Sequence, residues 1–493
     1  MIRPAGALLV FQVVVFQFAV GLLAGCSPES VQPPLSNRLA GQVTVAAMLS
    51  HLQRLQEIAD AHQRNRADGT PGFDASAEYV ANTLRNKGFD VTMPEITRLE
   101  TTASGKPTLT VAGIGYPVDQ ASLLVRTPAG GVTGLVVRPA RSTGCAPGDY
   151  PVKVPHGGIA VVSDAGCSVV DKQNVAANRG AAALIVVSLP SRNGAPAGLF
   201  PPGYYDQLTL PVAVTGRDGD AALRRATGAV RLVLDAVTVK VTSRNILAQT
   251  TTGSGHDVVM VGAHLDGAAG GPGINDNGSG VAAVLETALQ LGPSPGATNA
   301  VRFAFWAAAE QQLGGSTDYV FGLNRDQLND IAVYLNFDML ASPNPGFFTY
   351  DGDQSALPSR DIAPADVPAG SAGVERTLAG YLNLVGVRPA DMPLSSDNDY
   401  SPFVVAGVPI GGITTGASQL KTTAQARLWG GKPGAAFDPN YHGPGDTIDK
   451  INRHALAING SAVAFAVANY AQSIAGANGV PARDKRHRVP LGP

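Results

Sequence analysis

The sequence predicts an α/β fold: a mostly parallel central sheet with helices on both faces, interrupted by an inserted β-rich unit. Three observations carry this. Apolar strand-like runs at 258–262, 301–306 and 331–339 alternate with helical patterns, as a doubly wound sheet requires. Each run leads into a side chain able to hold a metal ion or move a proton: His264, Glu310 and Asp338. From 123 to 237 the pattern changes to short β-rich runs (GLVVRPA, GGIAVVSDA, ALIVVSL, PVAVTG, VRLVLDA) parted by glycine and proline turns.

In chain order, 493 residues exceed a single hydrophobic core, so two or three units are expected. A net charge of −2 gives no reason to expect nucleic acid or an anionic surface as partner, and composition sets no oligomeric state. Arg3 precedes an apolar run, 5–23, that closes at Leu23-Ala24-Gly25-Cys26. A charged start, an apolar centre and a small-residue site read as an export signal over residues 1–25. The stretch resembles the bacterial lipobox, which implies a lipid on Cys26 and a membrane anchor in the cell envelope, outside the cytoplasm. A transmembrane helix competes with this reading, but the run is marginal in length and a polar linker, 26–42, follows it. Cys145 and Cys167 remain, and outside the cytoplasm such a pair reads as a disulfide.

Residues 43–122 form the first part of the catalytic unit. Met48, Leu52, Leu55 and Ile58 recur at helical spacing; 74–87 is a second helix ending at Gly88, and 89–93 a strand. Residues 66–72 (RADGTPG) are a turn-rich link with no chemistry of their own. His51 and His62 are expected solvated on a surface helix, and His156 on a proline-flanked loop. The 123–237 unit has one helical piece, 172–179, and no cluster of metal-ligating side chains. Strands resume at 239–249 and open the main unit, 238–476, whose last helix spans 453–475. The tail, 477–493, with its basic stretch 483–488, is expected to be disordered.

The chemistry sits at the strand ends. A histidine at the carboxyl end of a strand, with acids in the next loop, is where open α/β sheets place their sites. Zinc takes imidazole and carboxylate donors, and a ligating histidine needs an acceptor for its other ring nitrogen. In His264-Leu265-Asp266 the aspartate can supply that acceptor. Asp276 opens the following helix and faces the same crevice, and Tyr441-His442 adds a second histidine. Two histidines, two terminal acids (Glu310 and Asp338) and one bridging acid complete a pair of sites. Nitrogen and oxygen donors without thiolate favour zinc, with manganese or cobalt as alternatives.

These residues resemble the secreted dinuclear zinc aminopeptidases of the leucine-aminopeptidase type, over nearly all of the mature chain. Residues 123–237 resemble the protease-associated domain inserted in many secreted peptidases, which implies a lid or access module. The resemblance implies two zinc ions and peptide substrates. His264 and Asp338 would hold one ion, Glu310 and His442 the other, with Asp276 bridging and Asp266 orienting His264. Tyr441 would hydrogen-bond the tetrahedral intermediate. Asn398-Asp399-Tyr400-Ser401-Pro402-Phe403 resembles the family's S-D-H-x-P-F, which puts Asp399 behind the ligands.

The chain departs from the family where it matters most. The family's W-x-x-E-E-x-G-L-x-G-S carries the general base at its first glutamate and a zinc ligand at its second. Here Trp306-Ala307-Ala308-Ala309-Glu310-Gln311-Gln312-Leu313-Gly314-Gly315-Ser316 puts Ala309 at the base position and Glu310 at the ligand position. Alanine takes no proton, and a positioned base is worth about 10²–10⁴-fold in rate. Weak turnover is therefore expected, with a peptide- and zinc-binding pseudoenzyme as the alternative. Glu310 could serve as base only by a one-residue shift that robs the second metal of a ligand. Gly267 replaces a common serine, and Ile413-Thr414-Thr415-Gly416 replaces L-F-T-G, altering the side-chain pocket. A related amidohydrolase or glutaminyl cyclase-like transferase is a third, weaker reading.

Overall fold

The structure, a computed structural model, describes residues 34–492 except 152, 153, 156, 190–195, 197, 357 and 358. The export signal, Cys26 and His156 lie outside the described residues. The central sheet has eight strands: β1 (Asp90–Thr92), β2 (Ile246–Gln249), β3 (Ser254–His264), β4 (Asn299–Trp306), β5 (Ile331–Phe337), β6 (Phe348–Tyr350), β7 (Ala390–Met392) and β8 (Ile410–Thr414). Their order is β1-β2-β4-β3-β5-β8-β6-β7. The four central strands, β4, β3, β5 and β8, run parallel, with Val261 level with Phe303 on one side and Leu335 on the other. β5 is buried at every residue. Such continuous apolar runs suit strands covered on both faces.

Seven helices are used below: α1 (Leu35–Gln42), α2 (Val45–Ala61), α3 (Pro71–Lys87), α4 (Gly278–Leu291), α5 (Arg325–Asp330), α6 (Ser401–Val405) and α7 (Arg453–Gln472). On one face α1–α4 and α7 bury Leu39, Leu52, Val80, Leu285 and Val463 against the sheet. On the other, Trp306, Tyr334 and Phe403 form a second core. α2 starts where the Thr44 hydroxyl accepts from the Ala47 N–H, and α3 starts at the Thr70 cap with Pro71 behind it. α4 is capped by Asn277, whose carbonyl oxygen accepts from the Gly280 N–H at 2.9 Å.

Four expectations are corrected. The stretch 26–42 is not all linker, because Leu35–Gln42 is helical and buries Leu39 and Ala40 beneath α7. His51 is not solvated: it is 8 % exposed, with Nδ1 2.6 Å from the Tyr79 hydroxyl and Nε2 3.1 Å from Glu286. Its neighbour Leu52 lies on the buried stripe, and the pairing with Glu286 of α4 satisfies a polar group packed inside. The tail is not loose. Arg486 donates to the His256 carbonyl at 2.9 Å and Arg488 to the Ile331 carbonyl at 2.8 Å, and both are buried. Arg488 also donates to the Leu328 carbonyl in α5, which accepts from the Ile331 N–H as well. Finally, the insert begins before residue 123, because Thr108–Val111 pairs with Val230–Val233.

The insert carries a five-stranded and a four-stranded sheet and is reached through a ribbon of Glu95–Ala103 paired with Val237–Arg244. The expected disulfide is present, with Cys145 and Cys167 at a Cα separation of 5.9 Å. Among the described residues the insert carries two α-helices, Val169–Asn178 and Arg217–Arg225, where one helical piece was expected.

Candidate metal centre

β3 ends at His264, β4 leads into the loop with Glu310, and Asp338 follows β5, so three neighbouring strands deliver three side chains to one crevice. Asn277, next to Asp276, ties two of these loops together. Its amide donates to the Phe337 carbonyl at 2.9 Å and accepts from the Met339 N–H at 3.1 Å, flanking Asp338. Gly280 permits this closeness, since a Cβ there would strike the Phe337 carbonyl and the Asn277 amide.

The side chains fall into two groups that share one acid: His264, Asp276 and Asp338, and Asp276, Glu310 and His442. His264 Nε2 stands 3.5 Å from Asp276 and 3.4 Å from Asp338. His442 Nε2 stands 3.2 Å from the other Asp276 oxygen and 3.1 Å from Glu310. All five expected ligands therefore meet, with Asp276 between the halves.

The donors fit a pair of cations. Asp276 Oδ2 and Asp338 Oδ1 are buried and accept no well-aligned hydrogen bond, although imidazole nitrogens lie nearby. Orphaned carboxylate oxygens are costly unless a positive charge meets them. The protein's own response shows the same need. Burial opposes charge on His264, yet Asp276 and Asp338 raise its pKa well above the ordinary value. Asp276 and Glu310 raise that of His442 to about 10. Burial works to raise the pKa of Asp276, but the two imidazoles overcome it and bring it to about 2.

Asp266 acts differently from expectation. The acceptor for His264 Nδ1 is the Asp266 main-chain carbonyl, at 3.0 Å, while its carboxylate is 3.8 Å away. The carboxylate instead accepts the N–H groups of Ala309 and Glu310, each at 3.1 Å. It thus fixes the loop that aims Glu310, and burial raises its pKa to about 7. In that loop Glu310 lies in a ligand group and Ala309 lines the same cavity with only a methyl group. Gln312 stands where the family has glycine, at φ 62°, and Leu313 follows at φ 58°. Left-handed backbone at such residues costs about 1 kcal/mol or more each. Bonds from Gly314 to the Ala308 carbonyl and from Gly315 to the Ala307 carbonyl hold the turn.

Tyr441 stacks on His442 with ring centroids 3.8 Å apart and borders the cavity. Burial and the nearby carboxylates raise its pKa, so the phenol keeps its proton. Asp399 is buried, its pKa raised to about 6 by burial, and accepts from the Ser316 hydroxyl at 2.5 Å. It borders the same cavity as the candidate ligands.

Three residues in the site had no assigned role. Arg66, wholly buried, donates to the carbonyls of Pro272 at 2.8 Å, Leu265 at 2.9 Å and Gly273. Burial lowers its pKa to about 10, still charged, beside Asp446, Asp266 and Asp276. Asp446 accepts the N–H groups of Asn275 at 2.7 Å and Asp276 at 3.0 Å, and burial raises its pKa to about 7. Asn398 donates to Asp338 Oδ2 at 3.1 Å and ends a chain. Trp306 donates to the Tyr334 hydroxyl at 2.8 Å, which donates to Asn336 Oδ1 at 2.7 Å, and the Asn336 amide donates to Asn398 Oδ1 at 2.6 Å. Gly262 makes room for it, because a Cβ there would collide with Trp306 Nε1 and the Tyr334 hydroxyl. Of these three, Asn398 falls in the stretch that resembles S-D-H-x-P-F and Arg66 in the turn-rich link 66–72.

The chain is similar to known proteins over most of its length. Residues 245–467 match the model of peptidase family M28, and residues 132–222 match the PA domain. The chain is 48% identical over 453 residues to a Mycobacterium tuberculosis protein named probable lipoprotein aminopeptidase LpqL, covering 91% of this chain and 89% of that one. It is 36% identical to an aminopeptidase of Pseudomonas aeruginosa, covering 89% and 83%. A zinc aminopeptidase structure from Bacillus subtilis superposes with a TM-score of 0.49 at 24% identity, covering 87% of this chain and 95% of that one.

Proposed function

Because the chain belongs to peptidase family M28, as an enzyme of the metallo-aminopeptidase class, we propose that it removes N-terminal residues from peptides outside the cytoplasm with two zinc ions, held to the membrane by lipid on Cys26. The observation that carries this is the pair of ligand groups joined at Asp276. Zinc in such a pair of sites polarises the scissile carbonyl and lowers the pKa of the attacking water. The chain's own residues do the rest. His264, Asp276, Asp338, Glu310 and His442 hold the ions, and Asp266 and Asp446 hold the loops that aim them. The Tyr441 hydroxyl, protonated and facing the cavity, donates to the oxyanion as it forms.

What the chain lacks is a base. With Ala309 beside Glu310, no side chain at that position removes the proton of the attacking water, so turnover is weak. The second reading, a pseudoenzyme that binds peptide and zinc, is favoured by the same alanine. Metal content and leucine p-nitroanilide hydrolysis measured on one preparation test both. The expected result is close to two zinc ions per chain with poor turnover, and an Ala309→Glu variant whose kcat is higher by about 10²-fold or more. Wild-type turnover equal to that of Ala309→Glu overturns the missing-base account. No turnover by either protein, with zinc bound, favours the pseudoenzyme. The lipid is tested by membrane partitioning, which Cys26→Ser abolishes.

A further inference from the structure

We propose that Asp397 makes this site select peptides that begin with a basic side chain, lysine above all. The inference rests on the aminopeptidase reading and names the substrate class of that same site.

The cavity above the metal ligands has a volume of about 310 Å³, and its wall contains no lysine or arginine. Five carboxylates border it: Asp276, Glu310, Asp338, Asp397 and Asp399. The first three belong to the ligand groups, and Asp399 is buried and engaged by Ser316. Asp397 is the acid left over. It is exposed to solvent, and no cation pairs with it among the described residues.

Its position is nonetheless fixed. The Asp397 N–H donates to the Ser395 hydroxyl at 3.1 Å, and the Ser395 N–H donates to the buried Tyr400 hydroxyl at 2.8 Å. On its other side Asn398 turns inward and grips Asp338. The Asp397 carboxylate has only the Ser396 hydroxyl, 3.5 Å away, as a hydrogen-bond partner. Leu313, Met339, Met392 and Pro393 supply the apolar part of the same wall. An aliphatic stem that ends in a positive charge suits a cavity lined both by apolar side chains and by an acid without a cation partner among the described residues.

The test compares lysinamide with norleucinamide, which has the same stem without the charge. Binding to the zinc-loaded full chain is measured by calorimetry, so that slow turnover does not mask it, for wild type and Asp397→Asn. The expected result is a preference for lysinamide that falls about three- to fivefold in Asp397→Asn, the size of an exposed ion pair, and falls likewise in wild type at high salt. An unmoved preference overturns the proposal while leaving the aminopeptidase reading intact, provided norleucinamide binds. Equal loss for both amides also overturns it, because the acid would then be meeting the α-ammonium group common to both. If neither amide binds the zinc-loaded chain, the aminopeptidase reading itself fails and this inference falls with it.

Discussion

At the scale of single residues, Asn398 shows how an uncharged side chain can govern Asp338, a proposed metal ligand. An indole N–H only donates, so the Trp306 bond fixes the direction of every link that follows: hydroxyl to carbonyl oxygen, amide to carbonyl oxygen, amide to carboxylate. The orientation of both asparagine amides follows from the chain, and buried links of this kind polarise one another. Removing the last link leaves Asp338 free to turn. Replacing such an outer partner of a metal ligand typically costs about 10–100-fold in affinity. Asn398→Ala is therefore expected to weaken zinc at the His264 half of the pair by about tenfold or more in competition with a chelator, with the other half little changed. Unaltered zinc competition would show that Asp338 holds its position unaided. His264, Glu310 and Asp338 were legible as candidate ligands because a histidine or acid after an apolar strand is a visible pattern. Asn398 was not, since nothing in a sequence says which atoms an amide will face.

Between residues and the whole lies the loop from Leu265 to Asp276, which carries no regular structure yet must place a ligand at each end. Arg66 holds it by bonds to three of its carbonyls, and the Gly267 N–H returns a bond to the Arg66 carbonyl. Backbone acceptors leave no trace in the sequence, which is why 66–72 looked like a link without chemistry. His51 was misjudged for a related reason: it sits beside the apolar stripe of α2, and its partner Glu286 is 235 residues away. β1 to β5 and α2, α3, α4 and α7 were legible because their apolar spacing is local, whereas the short β6, β7 and β8 were not read. Arg66→Met would strand three carbonyls and take a buried cation away from Asp266, Asp276 and Asp446. Truncating one partner of a buried charge system costs about 3–5 kcal/mol. That loss is expected in denaturant unfolding of the zinc-free chain. Lysine should restore only part of it, having a point charge where three carbonyls need a fork. A full rescue by lysine would mean that charge alone, and not the geometry of the guanidinium, holds the loop.

The whole molecule is held together by pairings that run far along the chain, and the ends of the sequence were its least legible parts for that reason. The insert starts before residue 123 because Thr108–Val111 finds Val230–Val233, and the last residues are held because Arg486 and Arg488 find carbonyls in the middle of the fold, with Arg483 on Asp330 and the Val489 N–H on the Ala406 carbonyl. A run of basic residues between prolines has the composition of a disordered tail, but composition does not reveal acceptors waiting elsewhere. Arg486 donates to the His256 and Asn329 carbonyls and pairs with Asp257, while Arg488 closes on Leu328, Gly407 and Ile331. These contacts join the start of β3 to α5, the first residue of β5 and the turn that precedes β8, on the edge opposite the metal ligands at the strand ends. Charge-assisted bonds of this kind contribute about 1.5–3 kcal/mol each when both partners stay buried. Removing residues 483–493 would expose the freed carbonyls to water, so the net loss should be smaller than the sum, about 2–4 kcal/mol. The truncated chain is expected to unfold several degrees lower than the full chain while binding zinc with unchanged stoichiometry and competing with a chelator as the full chain does. If zinc binding fell together with stability, the tail would have to be reaching the ligands through the parallel strands, and the separation between clamp and site argued from the topology would be wrong.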